Sequence, residues 1–458
     1  MAIANLKITG LLFLMERIVF IKSLILAALL VIFAVAILTR VEAKESSVSL
    51  ELSRTYFNEL NAVCSKDGGR LWGLTLCGPT LFVDPKTREV VANQADRSGL
   101  LIKKDDLFVG KWPVEMNIAN TSVEWGGVKW TMMVWPLPSD QQERAQLMAH
   151  ESFHRIQDEL GLPGANPANS HLGTRDGRVW LQLEWRALGN ALVERGPNRR
   201  MAVADALAFR EYRHSIFPQA ANDEKALEVN EGLAEYTGMK MSSVSRTEFL
   251  LRAACTLRQG RHRTSFVRSF AYVSGPAYGA LLDEAGEGWR REIRAKSDLG
   301  TILRITHGVK TSPASRQSVF ARAARYDSQT LIATETARDN EQQETLKKYR
   351  TKFFGHPVLT LPLTEKVQYS FNPNNLVPLD ENRIIYTTMR ITDEWGILEV
   401  TDGALVIREQ GRVAQVLISA PTTFSARPVN GPGWKLQLKD GWEFGTAAGS
   451  DNSLLKRK

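Results

Sequence analysis

Five consecutive residues, His150-Glu151-Ser152-Phe153-His154, set two imidazoles four positions apart with a carboxylate between them. On an α-helix, positions i and i+4 share a face, so both rings can reach one metal ion. Glu151 then lies beside the place of a metal-bound water. Two nitrogen donors with an adjacent base are what a zinc hydrolase requires. The competing reading is an amphipathic helix carrying two surface histidines.

Zinc held by two histidines needs a third protein ligand, and a catalytic site keeps a fourth position open. The segment Glu228-Val229-Asn230-Glu231-Gly232-Leu233-Ala234-Glu235-Tyr236 reads as helix and supplies candidates. Glu231 is the expected third ligand. Glu235, one helical turn later, is placed to accept the N–H of a ligating histidine and fix its tautomer. A solvated acidic helix explains the charges but not the small, apolar filling Gly232-Leu233-Ala234. Glu184, acidic on the apolar helix WLQLEWRALGNAL, is an alternative third ligand; pairing with a buried Arg is the plainer expectation for it. His171 lies too far along to complete a three-histidine metzincin pattern.

H-E-x-x-H followed by N-E-G-x-A resembles the gluzincin zinc peptidases, in particular their aminopeptidase-like branch. The resemblance implies zinc bound by His150, His154 and Glu231, with Glu151 as general base. It also implies an oxyanion donor at Tyr272, in Tyr272-Val273-Ser274-Gly275, the match to the family's Y-x-x-G; His214 and His262 are alternatives. Three departures stand out. Ser152 replaces a bulky apolar residue, the stretch from His154 to Glu231 is long, and no G-x-M-E-N sequence is present to hold a free amino terminus. The resemblance covers roughly residues 140–290 and implies a peptide or protein substrate; it does not extend to the aminopeptidases' specificity, and endo- and exopeptidase action both stay open. Nitrogen and oxygen donors also accept cobalt or manganese. The reading from a different class is a catalytically inactive gluzincin-like envelope protein acting as a binding or assembly module. A third is an assembly factor with incidental histidines.

The amino terminus bears on compartment. Leu24–Leu38 is a continuous apolar run behind Arg17 and Lys22, followed by the small-residue pattern Val41-Glu42-Ala43. Residues 1–43 therefore read as a signal peptide, with Met15 a second candidate start, or as an N-terminal anchor through residues 19–39. Either form predicts export: to the periplasm or extracellular space, or to the outer side of an inner membrane. Of the three cysteines, Cys64 and Cys77 flank a short loop and form either a disulfide or two buried thiols. Cys255, in LLRAACTL, reads as a core residue. The net charge of +8 comes with basic clusters at 195–200 and 258–263 but no interleaved stacking aromatics, so nucleic-acid binding is not expected.

These residues need a frame, and hydrophobic patterning predicts an α+β one. Residues 44–139 read as a helix followed by a sheet: TLFVD and EVVAN form one hairpin, and TSVEW and VKWTMMVWPL another across Gly126-Gly127. Lys129–Trp135 is the expected edge strand for an extended substrate. Residues 140–350 read as a mostly helical zinc-peptidase core. Residues 351–458, with short alternating strands and Gly-containing turns, read as an antiparallel β-sandwich-like domain without a catalytic constellation.

Overall fold

The computed structural model describes residues 48–310, 316–372, 374–421, 423–424, 428–446 and 452–458. The leader or anchor expected at residues 1–43 lies outside them. The described chain is mixed α+β, and none of its helices is long and apolar enough to cross a membrane.

Helix α1 (Leu50–Asp67) is started by Ser49, whose hydroxyl accepts from Leu52 N, and ended by Gly68 in the left-handed region. Its inward face, with Tyr56, Phe57 and Leu60, packs on a six-stranded sheet. The Phe57 and Phe82 rings stack with centroids 4.4 Å apart. The strands are β1 (Thr80–Val83), β2 (Glu89–Ala92), β3 (Ile102–Lys104), β4 (Leu107–Lys111), β5 (Thr121–Trp125) and β6 (Val128–Val134), in the order β3-β4-β2-β1-β6-β5. Only β1 and β6 run parallel. Both expected hairpins form. Gly126 and Gly127 both have positive φ (59° and 73°), as the tight turn between β5 and β6 requires.

That turn corrects the expected edge. It folds β5 back onto the open side of β6, so Lys129–Trp135 is paired on both flanks and β5 is the edge strand.

Cys64 and Cys77 are joined by a disulfide across 13 positions, with Cα atoms 5.4 Å apart. The Arg155 guanidinium, one residue past His154, donates to the carbonyls of Thr75, Leu76 and Cys77 at 3.1–3.3 Å. The bonded loop is thereby fastened to the histidine helix. Replacing both cysteines by serine is expected to lower unfolding free energy by about 2–4 kcal/mol, read from the denaturant midpoint. Cys255 is not a core residue: it is half-buried and faces a cleft, because its helix turns that side toward open space.

The helical section comprises α2 (Gln141–Ile156), α3 (Arg175–Val193), α4 (Gly196–Ile216), α5 (Ala220–Leu227), α6 (Leu233–Ser242), α7 (Arg246–Gly260), α8 (Ser269–Ala285), α9 (Trp289–Glu292), α10 (Leu299–Thr306), α11 (Arg316–Ala324) and α12 (Ser328–Phe354). Two further sheets follow. One has the order β17-β18-β7-β14-β13-β10-β9, formed by β7 (Val358–Pro362), β9 (Leu376–Pro378), β10 (Arg383–Tyr386), β13 (Ala404–Glu409), β14 (Arg412–Ser419), β17 (Trp442–Thr446) and β18 (Ser453–Arg457). The other has the order β15-β16-β12-β11-β8, formed by β8 (Gln368–Phe371), β11 (Met389–Asp393), β12 (Gly396–Val400), β15 (Val429–Gly431) and β16 (Trp434–Leu438). All their pairs are antiparallel except β18 with β7. One continuous apolar core runs from Phe153 and Leu233 through Phe270 to Leu361, Ile391 and Trp395. The C-terminal sheets therefore share a core with the helices that carry the site.

Candidate metal centre

Asp140 caps α2, its carboxylate accepting from Glu143 N at 2.8 Å. On that helix His150 and Glu151 are buried, and His154 is half-buried at the cleft wall. Ser152 points away from the cleft; its hydroxyl donates to the Met148 carbonyl at 2.7 Å. This departure from the resembled motif therefore makes no contact with the histidines' donor atoms.

Glu231 sits in a single π-helical turn, Glu228–Gly232, between α5 and α6. Such a turn fits one extra residue into the helix and recurs at functional sites. Here it lets Glu228 face Arg210, at 2.7 Å, while Glu231 faces α2. The turn can approach α8 because two glycines meet: a Cβ on Gly275 would fall 2.4 Å from Gly232 Cα. Gly275 closes the Tyr272-Val273-Ser274-Gly275 motif.

Three donor atoms converge. His150 Nε2 lies 3.2 Å from His154 Nε2, and Glu231 Oε2 lies 3.6 Å from the first and 3.5 Å from the second. Tetrahedral coordination with bonds of about 2.0–2.2 Å sets donors about 3.3–3.6 Å apart, so these residues fit a zinc ion. The far nitrogen of each ring is occupied. His150 Nδ1 is 2.7 Å from Glu235 Oε2, and His154 Nδ1 is 2.7 Å from Gln157 Oε1. With Nδ1 donating its proton in each case, both Nε2 lone pairs face the same point. Glu151 completes a His150–Glu151–His154 group that could hold a metal ion, yet its Oε2 is buried with no hydrogen-bond partner among the described residues.

The electrostatics suit a cation. Burial disfavours the charge on His150, but the Glu231 and Glu235 carboxylates outweigh it and hold the imidazole well above its ordinary 6.5. Burial pushes Glu151 above 4.5 against the pull of both histidines. Glu231 is likewise desolvated, yet Arg268 and then His154 hold it well below 4.5, as a ligand carboxylate needs.

Sequence reasoning missed several members of the site. Arg268 Nη2 lies 2.5 Å from Glu231 Oε1, leaving Oε2 free toward the histidines. Gln157 donates to Asn230 Oδ1 at 3.1 Å, and Asn230 donates to the Ala165 carbonyl at 2.9 Å. Glu235 Oε1 accepts from Gln146 at 2.6 Å, which accepts in turn from Arg252 at 2.5 Å. Of these only Asn230, within N-E-G, carried any signal. Removing the support at His150 by Glu235→Ala is expected to weaken metal affinity about 10–100-fold, measured by competition with a chromogenic chelator.

Tyr272 lines the cleft, its ring 5.6 Å from that of His150 and nearly parallel to it, at 7°. Burial, then the Glu231 charge, keeps its phenol well above 10.0 and therefore a donor. The other sequence candidates lie elsewhere. His214 binds Glu224 at 2.9 Å, and His262 is exposed beside Arg261. His171 is 2.7 Å from Glu224. Glu184 is fully buried and accepts from Arg213 at 2.7 Å and from Tyr278 at 2.6 Å. His171, His214 and Glu184 thus belong, with Arg213 and Glu224, to a separate network, formed because α3, α4 and α5 turn polar side chains toward one another.

The histidines and Glu231 open onto a cleft of about 1600 Å³, bounded by β5, α2, α7 and β8. Comparison with known proteins gives no match to a family model, to a curated protein or to a solved structure.

Proposed function

We propose that this chain is an exported zinc-dependent metallopeptidase, with His150, His154 and Glu231 as ligands. The observation that supports this most is the donor triangle of 3.2, 3.5 and 3.6 Å beside a buried carboxylate oxygen that has no partner among the described residues. Zinc, when bound, supplies Lewis acidity and brings the pKa of its water toward about 7. Glu151 Oε2 takes the proton of the attacking water and returns it to the leaving amine nitrogen. The Tyr272 hydroxyl donates to the oxygen that gains charge at the scissile carbonyl. Arg268 holds Glu231 in orientation and ionised. The free edge of β5 binds an extended substrate through main-chain hydrogen bonds. The Cys64–Cys77 bond agrees with an oxidising compartment.

The test is hydrolysis of an unfolded protein by the purified chain. Cleavage should cease on chelation and return with zinc. Stoichiometric zinc without turnover on any unfolded substrate would favour the alternative of an inactive binding or assembly module.

A further inference from the structure

We propose that the C-terminal five-stranded sheet forms the second wall of the substrate site. An extended polypeptide pairs with β8 along one of its edges and with β5 along the other. This rests on the peptidase reading and assigns the C-terminal sheets a part in it.

Each strand ends its sheet, so each has backbone groups on one flank that no other strand uses. Both strands contribute residues to the lining of the same cleft. A strand that turns a face to a cavity lines it with alternate residues, as β6 does with Met132 and Val134. By contrast, seven consecutive residues, 117–123, line the cleft as the chain enters β5, three of them in the strand, and so do six around β8, 367–372, which include the whole strand. Every residue of β8 thus borders the space, as do Met389 and Arg390 of β11, the strand it pairs with on its other flank.

The edge of β8 is also unguarded. Exposed edges are usually blunted by charge or proline, and Gln368-Tyr369-Ser370-Phe371 has neither. The strand lies close to the metal ligands as well. The Arg268 guanidinium sits 5.6 Å from the centre of the Phe371 ring and holds Glu231. Two side chains thus separate β8 from the third ligand.

Pairing on one edge engages alternate N–H and C=O groups of a strand, whereas pairing on both edges engages them all. The substrate must therefore be locally extended, with residues on both sides of the scissile bond, and a folded domain or a helix is excluded.

Hydrogen–deuterium exchange tests this on the full-length, zinc-loaded Glu151→Gln protein, with reduced and carboxymethylated α-lactalbumin as probe and its native form as control. The expected result is at least tenfold slower exchange in both 121–125 and 368–371 with the unfolded probe, and no change with the folded one. Protection confined to β5, or absent from both strands, overturns the proposal. Wild-type turnover of the same probe reads the underlying function separately. Cleavage with β8 unprotected retires the second wall and leaves the peptidase. Protection of both strands without cleavage supports the wall and retires the peptidase. Neither cleavage nor protection retires both.

Discussion

On the proposed mechanism, Glu151→Gln is expected to lower the rate of peptide-bond cleavage by about 10²–10⁴-fold, the range for loss of a positioned general base, with zinc content staying at the wild-type level. The substitution keeps shape and burial and removes only the capacity to accept a proton. Glu151 Oε2 makes no hydrogen bond among the described residues, so little structure depends on its charge. The two imidazoles are held through Nδ1 by Glu235 and Gln157 and not by Glu151. The effect should accordingly fall on kcat more than on KM. Parallel measurement of metal content and steady-state kinetics checks it; equal loss of zinc would recast Glu151 as a ligand.

Arg213→Ala should destabilise the chain by about 3–5 kcal/mol, the usual cost of breaking a buried ion pair from one side. Arg213 is fully buried and binds Glu184 at 2.7 Å and Glu224 at 2.6 Å. Its loss strands two carboxylates in a region that also contains Glu228. Removing the exposed Arg412–Glu365 pair, whose side chains are 79% and 86% exposed, should leave stability unchanged. Urea unfolding of the two variants side by side gives the comparison.

The same network predicts opposite pH contributions from two glutamates. Glu224 is desolvated, but Arg213 and both nearby histidines hold it well below 4.5. Its contribution is present above about pH 4.5 and is lost as the pH falls through its depressed folded value. Glu228 is pushed by burial up to about 7, more than Arg210 offsets. Its ionisation therefore costs stability as the pH rises from about 4.5 to about 7. Glu228→Gln should raise stability at pH 8 relative to pH 5 when compared with the wild type.

What could be read in the sequence was what local rules determine. The i, i+4 spacing of His150 and His154, the Gly126-Gly127 turn and the alternating strands after residue 358 depend on near neighbours. The rest depends on packing between distant segments. Nothing local says that the hairpin folds toward the open side of β6, giving the edge to β5. The π-turn at Glu228–Gly232 arises where α5 and α6 must satisfy Arg210 and the histidines together. Arg268 reaches Glu231 from 37 positions away. Glu184 stood out as an acid on an apolar helix, but its partner Arg213 comes from the next helix, 29 residues on. Cys255 had apolar sequence neighbours, yet its side of α7 borders the cleft.

The central claim is that His150, His154 and Glu231 hold one zinc ion. Metal analysis of the purified chain, beside His150→Ala and Glu231→Ala, tests it most directly. The account predicts about one zinc per wild-type chain, lost in both variants while each stays folded by circular dichroism. A wild-type chain that binds no metal, or a Glu231→Ala chain that keeps its zinc, would contradict it.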